Sequence, residues 1–583
     1  MTRWFFFPTI RPMSRCLIVF IIFAVPFFSF AQKPTTPQQA FIEQFQSPRI
    51  WFPAIDNPIL ADAPGRYPAV LNFLFEGILG WTPTGEGLLV TDKCNSTLWS
   101  SRLQDPRVAA SAQLQGGLVQ KYLQECGSQL QTHDLGELVN VRRYLTMRYD
   151  SYDHPFLRRV VINLPGNVKV KGLLALKGDS KRRPLVIFRS GIFSSIEDFR
   201  PERAWMMMLF EQSPFNVLLL ENLTSADFIA NNNQFSFGGY DEGIQNILIA
   251  QMLRNPTEPL SRIVDSVHVM GMSLGGPGVL FASLLNKYNS PANAPLIQSF
   301  FALCPVVNLK ETMEALTGSG TRSAFIDLWG RRRLRGIEEK LPGMVQYESF
   351  KYLSKAVSEV VRTYHGGLSY ISSVKLPPGM KDSENFWALN NFWPYYKDVQ
   401  EPVMIWATDH DYLVPYAINS QKIVNKVLKV DSKNIRVVEF AEGYHCTLPV
   451  AYDWKLSSSM MQSYVLSHSP NFKMRQNKLN MELTDDEWRD FFAGTTTTSY
   501  KVEEPGKKAN FVNLEIELKN SKGKAKSLSF SLPLSEFDFR FHNPTLTNSE
   551  KEMIVRWVNQ NLSVNVVDIA GKPNLQVSWA VAQ

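Results

Sequence analysis

The sequence predicts an α/β fold: a mostly parallel sheet flanked by helices, with an inserted helical lid and extra segments at both ends. Three observations predict it. From about residue 140, short apolar runs bounded by breakers recur, among them "RPLVIFRSG", "FNVLLLE", "VDSVHVMGM", "IQSFFALCP", "EPVMIWAT" and "NIRVVEFAE". Such runs are the mark of strands buried on both faces. Helix-like stretches, "YDEGIQNILIAQMLR" and "GPGVLFASLLNKYN", lie between them, which implies right-handed crossovers. One strand–helix corner reads Gly-Met-Ser-Leu-Gly, Gly271 to Gly275.

Taken in order, residues 1–31 read as a signal peptide. Arg3, Arg11 and Arg15 precede the apolar run "CLIVFIIFAVPFFSFA", whose Ser29 and Ala31 suit a signal peptidase cutting before Gln32. An uncleaved anchor is the alternative, but the run is short for a bilayer and holds Pro26. The expectation is therefore an exported, periplasmic or secreted chain. Residues 32–140 form an N-terminal extension, proline-broken at first and with helical periodicity in "DPRVAASAQLQGGLVQKYLQECGSQL".

The main α/β domain spans 141–470 and opens with a hairpin, "RRVVINLP" and "VKVKGLLALK" joined through Pro165-Gly166-Asn167. Residues 306–400 are far too many for an ordinary crossover and are expected to form the lid over the strand C-termini. After about 470 the composition turns polar. "FVNLEIELKN" and "AKSLSFSLPL" read as a second hairpin, and "NSEKEMIVRWVNQNL" as a helix opened by an N-cap asparagine or serine. Residues 471–583 are thus expected to be a small accessory module, α+β or β-rich.

Composition narrows the function classes. The chain has 583 residues, 44% hydrophobic and 20% charged, the balance of a globular protein with more than one ordinary core. Three of its net +7 charges belong to the targeting segment, so the mature chain is only mildly basic and a nucleic-acid partner is not expected. Four cysteines remain after cleavage: Cys94, Cys126, Cys304 and Cys446. Cys94 with Cys126 is the natural pair; Cys304 and Cys446 either come together in this fold or stay as buried thiols. No two cysteines have metal-ligand spacing, so no metal site is expected.

G-x-S-x-G alone arises by chance in roughly one chain in ten of this length. Its setting makes it specific. "VDSVHVM" is a strand and "GPGVLFASLLNKYN" a helix, so Ser273 sits on a strained turn with its hydroxyl presented at the sheet edge. A serine needs a base and a group to orient that base, and both must come from loops after later strands. "EPVMIWAT" is followed by Asp409-His410-Asp411-Tyr412-Leu413-Val414-Pro415, and "NIRVVEFAE" by Gly443-Tyr444-His445.

On these residues, in the order Ser273, Asp411, His445, the stretch 140–470 resembles the α/β-hydrolase superfamily, of the serine esterase and lipase kind. The resemblance implies a catalytic triad. Its D-x-x-V-P pattern favours Asp411 as the acid, with Asp409 the alternative. It also implies an oxyanion hole from the backbone N–H of Leu274 and, in "FRSGIFSS", of Ile192. Where many relatives carry His-Gly, this chain has Ser190-Gly191.

His268 and His410 read as incidental, and Tyr240-Asp241-Glu242 as carboxylates favoured by a helix start. "WGRRRLRG", Trp329 to Gly336, reads as a solvated basic face of the lid, or else as a surface for anionic substrate or lipid headgroups. Phe386, Trp387, Phe392, Trp393, Tyr395 and Tyr396 pack lid on core or line an acyl pocket. The function expected is an exported serine hydrolase acting on small-molecule or lipid esters, without cofactor, with peripheral membrane contact through the lid. An acyltransferase using the same triad and a non-catalytic envelope protein on this frame are the alternatives.

Overall fold

The computed structural model describes residues 50–51, 87–89, 94–131, 156–316, 335, 339, 373–424 and 432–583, less short gaps at 180, 197–199, 235, 293, 381–385, 453, 484–490, 492–495, 504–509 and 540–545. The expected targeting segment, the interior of the expected lid and all of "WGRRRLRG" except Arg335 lie outside these residues. The described strands are β1 Ile50–Trp51, β2 Gly87–Leu89, β3 Leu157–Leu164, β4 Val168–Ala175, β5 Arg183–Arg189, β6 Asn216–Leu220, β7 Val264–Met272, β8 Ser299–Leu303, β9 Val403–Thr408 and β10 Ile435–Phe440. The remaining six are β11 Met474–Glu482, β12 Thr496–Glu503, β13 Phe511–Asn520, β14 Ala525–Pro533, β15 Ser563–Ile569 and β16 Lys572–Ala582.

Nine strands form one sheet in the order β1-β3-β4-β6-β5-β7-β8-β9-β10. The β3–β4 hairpin and its neighbours are antiparallel, whereas β6 through β10 run parallel. The exchange of β5 and β6 followed by a steady outward march is the strand order of the α/β-hydrolase fold. It carries the C-terminal ends of β5, β7, β9 and β10 to one edge, where ligand sites of open α/β sheets form.

Alternation along the central strands divides their side chains between two cores. Val186, Phe188, Met270, Met272, Phe301, Trp406 and Val438 join one. Leu185, Ile187, Val267, Val269, Phe300, Ile405 and Val437 join the other. Helices Gly239–Arg254 and Gly275–Asn289 cover the second face, while Arg200–Glu211 and Trp454–Ser467 supply residues to the first. Every central strand is therefore buried on both sides, which is why each reads as a continuous apolar run. Among the described residues no helix is long and apolar enough to cross a membrane.

The N-terminal extension contributes to both halves of the chain. Helix Ala112–Leu130 is tied to β10 by Gln113 Nε2 donating to the Ile435 carbonyl and Gln120 Nε2 to that of Glu439. Cys94 and Cys126 form a disulfide, with Cα atoms 5.5 Å apart. β2 extends a four-stranded sheet ordered β14-β13-β12-β2, and β11-β16-β15 make a three-stranded one. The expected C-terminal hairpin is β13–β14. The helix after it, Asn548–Asn561, is capped by Thr547 and not by the asparagine or serine expected. Thr547 wins because Glu550, three residues on, closes a capping box with it.

This C-terminal part shares the first core: Ile516, Trp557 and Leu575 belong to the cluster that holds Phe210 and Trp406. Buried charges reinforce the contact. The Arg556 guanidinium pairs with Glu211, and Arg183 bridges Asp179 and Asp538. Beside them Lys177 donates to the Phe210 carbonyl and lies 3.9 Å from the Phe539 ring centroid. Burial, foremost, lowers its pKa to about 7.

At the ends of the insertion, an Asn308–Asn391 bridge joins the outgoing and returning chain, with Leu309 N–H donating to the Asn390 carbonyl at 3.2 Å. Of the aromatic residues beside it, Phe392, Trp393, Tyr395 and Tyr396 pack into the second core. Phe386, Phe392 and Tyr396 are buried, and Phe392 meets Phe281 edge to face.

Candidate active site

β7 ends at Met272, and the chain turns at Ser273 with φ of 54°, a left-handed conformation that a serine adopts only under constraint. The constraint is close packing. A Cβ on Gly275 would stand 2.4 Å from the Ser190 carbonyl oxygen and 2.6 Å from that of Arg189. A Cβ on Gly271 would stand 2.6 Å from the Gly275 carbonyl oxygen. Strand, turn and helix thus approach as only glycine permits. Two backbone bonds fix the turn: Ser273 N–H to the Leu303 carbonyl and Gly276 N–H to the Ser273 carbonyl, both 3.0 Å.

Asp411 follows β9. Its Oδ1 accepts the N–H groups of Leu413 and Val414 at 3.0 and 2.8 Å, leaving Oδ2 aimed at His445 Nδ1, 2.8 Å away. His445 follows β10, after Gly443 at φ of 101°, and its loop is pinned by Thr408 Oγ1 donating to the Gly443 carbonyl. His445 Nε2 lies 2.8 Å from Ser273 Oγ. With Nδ1–H donated to the carboxylate, Nε2 is left to accept from the serine hydroxyl. Asp409 takes no part: its side chain is 65% exposed and its neighbour is His410, at 3.7 Å.

Leu274 caps helix Gly275–Asn289, so its N–H belongs to the unpaired first turn. Among the described residues neither its N–H nor that of Ile192 has a backbone acceptor. The loop bearing Ile192 lies against the serine, since a Cβ on Gly191 would be 3.4 Å from Ser273 Cβ.

Several residues that fix this loop escaped the sequence reading. Glu202 Oε1 accepts the Gly191 N–H at 3.2 Å. Thr224 Oγ1 accepts the Phe193 N–H and donates to Asn222 Oδ1. Asn222 Nδ2 donates to the Ser190 carbonyl at 3.1 Å and to Glu242 Oε1 at 2.7 Å. Glu242 is therefore more than a carboxylate at a helix start: it is buried behind the loop, and burial, foremost, raises its pKa to about 8 against a smaller lowering by Arg189. His268 is buried within hydrogen-bond distance of Ser299, Ser266 and Ser469, a structural histidine that burial holds well below the usual range.

Cys304 and Cys446 are bonded, with Cα atoms 5.7 Å apart, directly beside Ser273 and His445. Cys304 follows the Leu303 carbonyl that receives Ser273 N–H, and Cys446 follows His445. Their two Sγ atoms and a His445 ring nitrogen lie within 4.8 Å of one another, a grouping that their separation of 142 residues hides in the sequence.

No protein-family model and no curated protein matches the chain. Solved structures resemble it in part. The Pyrococcus furiosus esterase Pf2001 is 15% identical over 55% of this chain and 96% of its own, with a TM-score of 0.36. A 2,6-dihydroxy-pseudo-oxynicotine hydrolase is 12% identical over 64% and 86%, with a TM-score of 0.37. The Pyrococcus horikoshii acylaminoacyl peptidase is 11% identical over 55% of this chain and 43% of its own, with a TM-score of 0.33.

Proposed function

We propose that the protein is an exported serine hydrolase that cleaves small-molecule or lipid carboxylic esters through an acyl-enzyme. One observation carries the reading: Ser273 Oγ, His445 and Asp411 joined in series by two 2.8 Å hydrogen bonds at the C-terminal edge of the sheet. His445 Nε2 takes the hydroxyl proton as Ser273 Oγ attacks the acyl carbon. The N–H groups of Leu274 and Ile192 receive the developing oxyanion, and Asp411 Oδ2 stabilises the imidazolium. His445 then protonates the departing alkoxide and activates the water that releases the acid. Tyr412, 48% exposed, lies 5.7 Å from Tyr444 between ring centroids, an aromatic rim beside the site that suits an apolar acyl or alcohol group. Two disulfides support export to an oxidising compartment.

A fluorophosphonate probe tests the reading. Native protein should be labelled covalently and the Ser273→Ala variant should not; a folded native protein that stays unlabelled overturns it. p-Nitrophenyl esters of rising chain length then report the depth of the acyl pocket.

A further inference from the structure

We propose that the Cys304–Cys446 disulfide is a redox control on the triad, and that its reduced form is a binding site for a thiophilic divalent cation such as Zn²⁺. The inference rests on the hydrolase reading for its consequence, though the metal site stands on geometry alone. Cys304 and Cys446 hold φ of 41° and 56°, left-handed values that non-glycine residues adopt only under constraint. Two such residues bonded across the catalytic loops store strain at the point where the His445 loop is tied to the end of β8. Cleaving the bond lets both backbones relax, so the constraint on His445 is a releasable one.

Release creates ligands. A phosphine or dithiol supplies two electrons and, with two protons from solvent, turns the disulfide into two thiols. Metal binding then expels those two protons as the sulfurs become thiolates. Zinc–sulfur and zinc–nitrogen bonds of about 2.3 and 2.0 Å place tetrahedral ligands about 3.5–3.8 Å apart. Cys446 Sγ already lies 3.9 Å from His445 Nε2, and all three donor atoms fall within 4.8 Å. Three protein ligands and one open position make a complete site of the open kind. The nitrogen it takes is the one that faces Ser273 Oγ, so a bound cation removes the general base. The oxidised protein has no thiolate to offer and is indifferent to the metal.

The test uses the full chain, stripped of metal and treated with a phosphine reductant without denaturant. The expected results are two new thiols at Cys304 and Cys446 by mass spectrometry and one Co²⁺ bound per reduced chain, with thiolate-to-cobalt absorption. Micromolar Zn²⁺ should slow fluorophosphonate labelling of the reduced protein at least about 100-fold, reversibly with a chelator, and leave the oxidised protein unchanged. A Cys304→Ser, Cys446→Ser double variant should bind no cobalt and stay zinc-insensitive, whereas Cys94→Ser, Cys126→Ser should behave as native.

Resistance of the disulfide to the reductant, absence of thiolate–cobalt absorption, or equal zinc inhibition of the double variant each overturns the proposal. Failure of the hydrolase reading looks different, because the oxidised protein then takes no label while the cobalt signal persists.

Discussion

Replacing Gly275 by alanine tests whether close packing at the serine turn sets the oxyanion loop. The added Cβ would stand 2.4 Å from the Ser190 carbonyl oxygen, 2.6 Å from the Arg189 oxygen and 2.8 Å from the Arg189 carbon. All three are backbone atoms, so no side chain can swing aside, and the end of β5 must retreat about 1 Å to restore ordinary contact. Ser190 immediately precedes Gly191 and Ile192, so the retreat moves the proposed oxyanion donor by a similar distance.

Misplacement on that scale costs about 100-fold in rate, and overpacking of this kind about 1–3 kcal/mol in stability. The assay is kcat/KM on a short p-nitrophenyl ester together with the rate of fluorophosphonate labelling, measured on protein shown to be folded by circular dichroism. Gly117→Ala is the control, because no atom lies within 4 Å of its Cβ and the residue is inside a helix. It should leave activity unchanged and stabilise by about 0.5–1 kcal/mol. If Gly275→Ala labels within about threefold of native, steric placement of the oxyanion loop is refuted.

Asp411→Asn should lower kcat by about 10⁴-fold, because the amide favours the wrong histidine tautomer, while Asp409→Asn should change it less than twofold on the order-of-magnitude scale of such effects. Steady-state rates on the same ester separate the two acids. Glu242→Gln should flatten the pH dependence of stability: the buried acid keeps its proton up to about pH 8 in the folded protein, against 4.5 for the free group. The folded state therefore binds more protons across that interval, and stability falls as pH rises through it. Urea midpoints at pH 5 and pH 9 should differ less in the variant than in the native protein. Arg556→Ala should lower the unfolding midpoint, since it strands the Glu211 carboxylate in a buried site at a cost of about 3–5 kcal/mol.

The strands of the main sheet and the meeting of Ser273, Asp411 and His445 were legible for one reason. Each chemical group stands directly after an apolar run, and a parallel sheet sends the C-terminal ends of all such runs to one edge. Ser273, Asp411 and His445 needed no knowledge of distance beyond that rule. What supports them was hidden. Asn222, Thr224 and Glu202 sit in segments without a motif, and only the close approach of β5, β6 and helix Arg200–Glu211 brings them to Ser190–Phe193. Glu242 looked like an ordinary acid at a helix start because its burial depends on the packing of two helices. The hairpin β13–β14 was legible from alternation. Its docking was not, because Arg556 and Glu211 are 345 residues apart.

Helix Arg200–Glu211 joins these hidden contacts into one device. Its first turn carries Glu202, which holds the Gly191 N–H beside Ser273, and its last residue, Glu211, is the buried partner of Arg556. Twelve residues span about 18 Å, so a rigid rod connects the Ser190–Phe193 loop with the C-terminal strands and helix. If the rod transmits, Arg556→Ala slows fluorophosphonate labelling at temperatures well below its unfolding transition. The double variant Glu211→Leu, Arg556→Met, which refills the site with apolar volume, should then restore both midpoint and labelling rate. A lowered midpoint with an unchanged labelling rate would instead confine the C-terminal part to holding the fold. Glu202→Gln keeps an acceptor for the Gly191 N–H and should stay near native, while Glu202→Ala should reproduce the loss seen in Arg556→Ala.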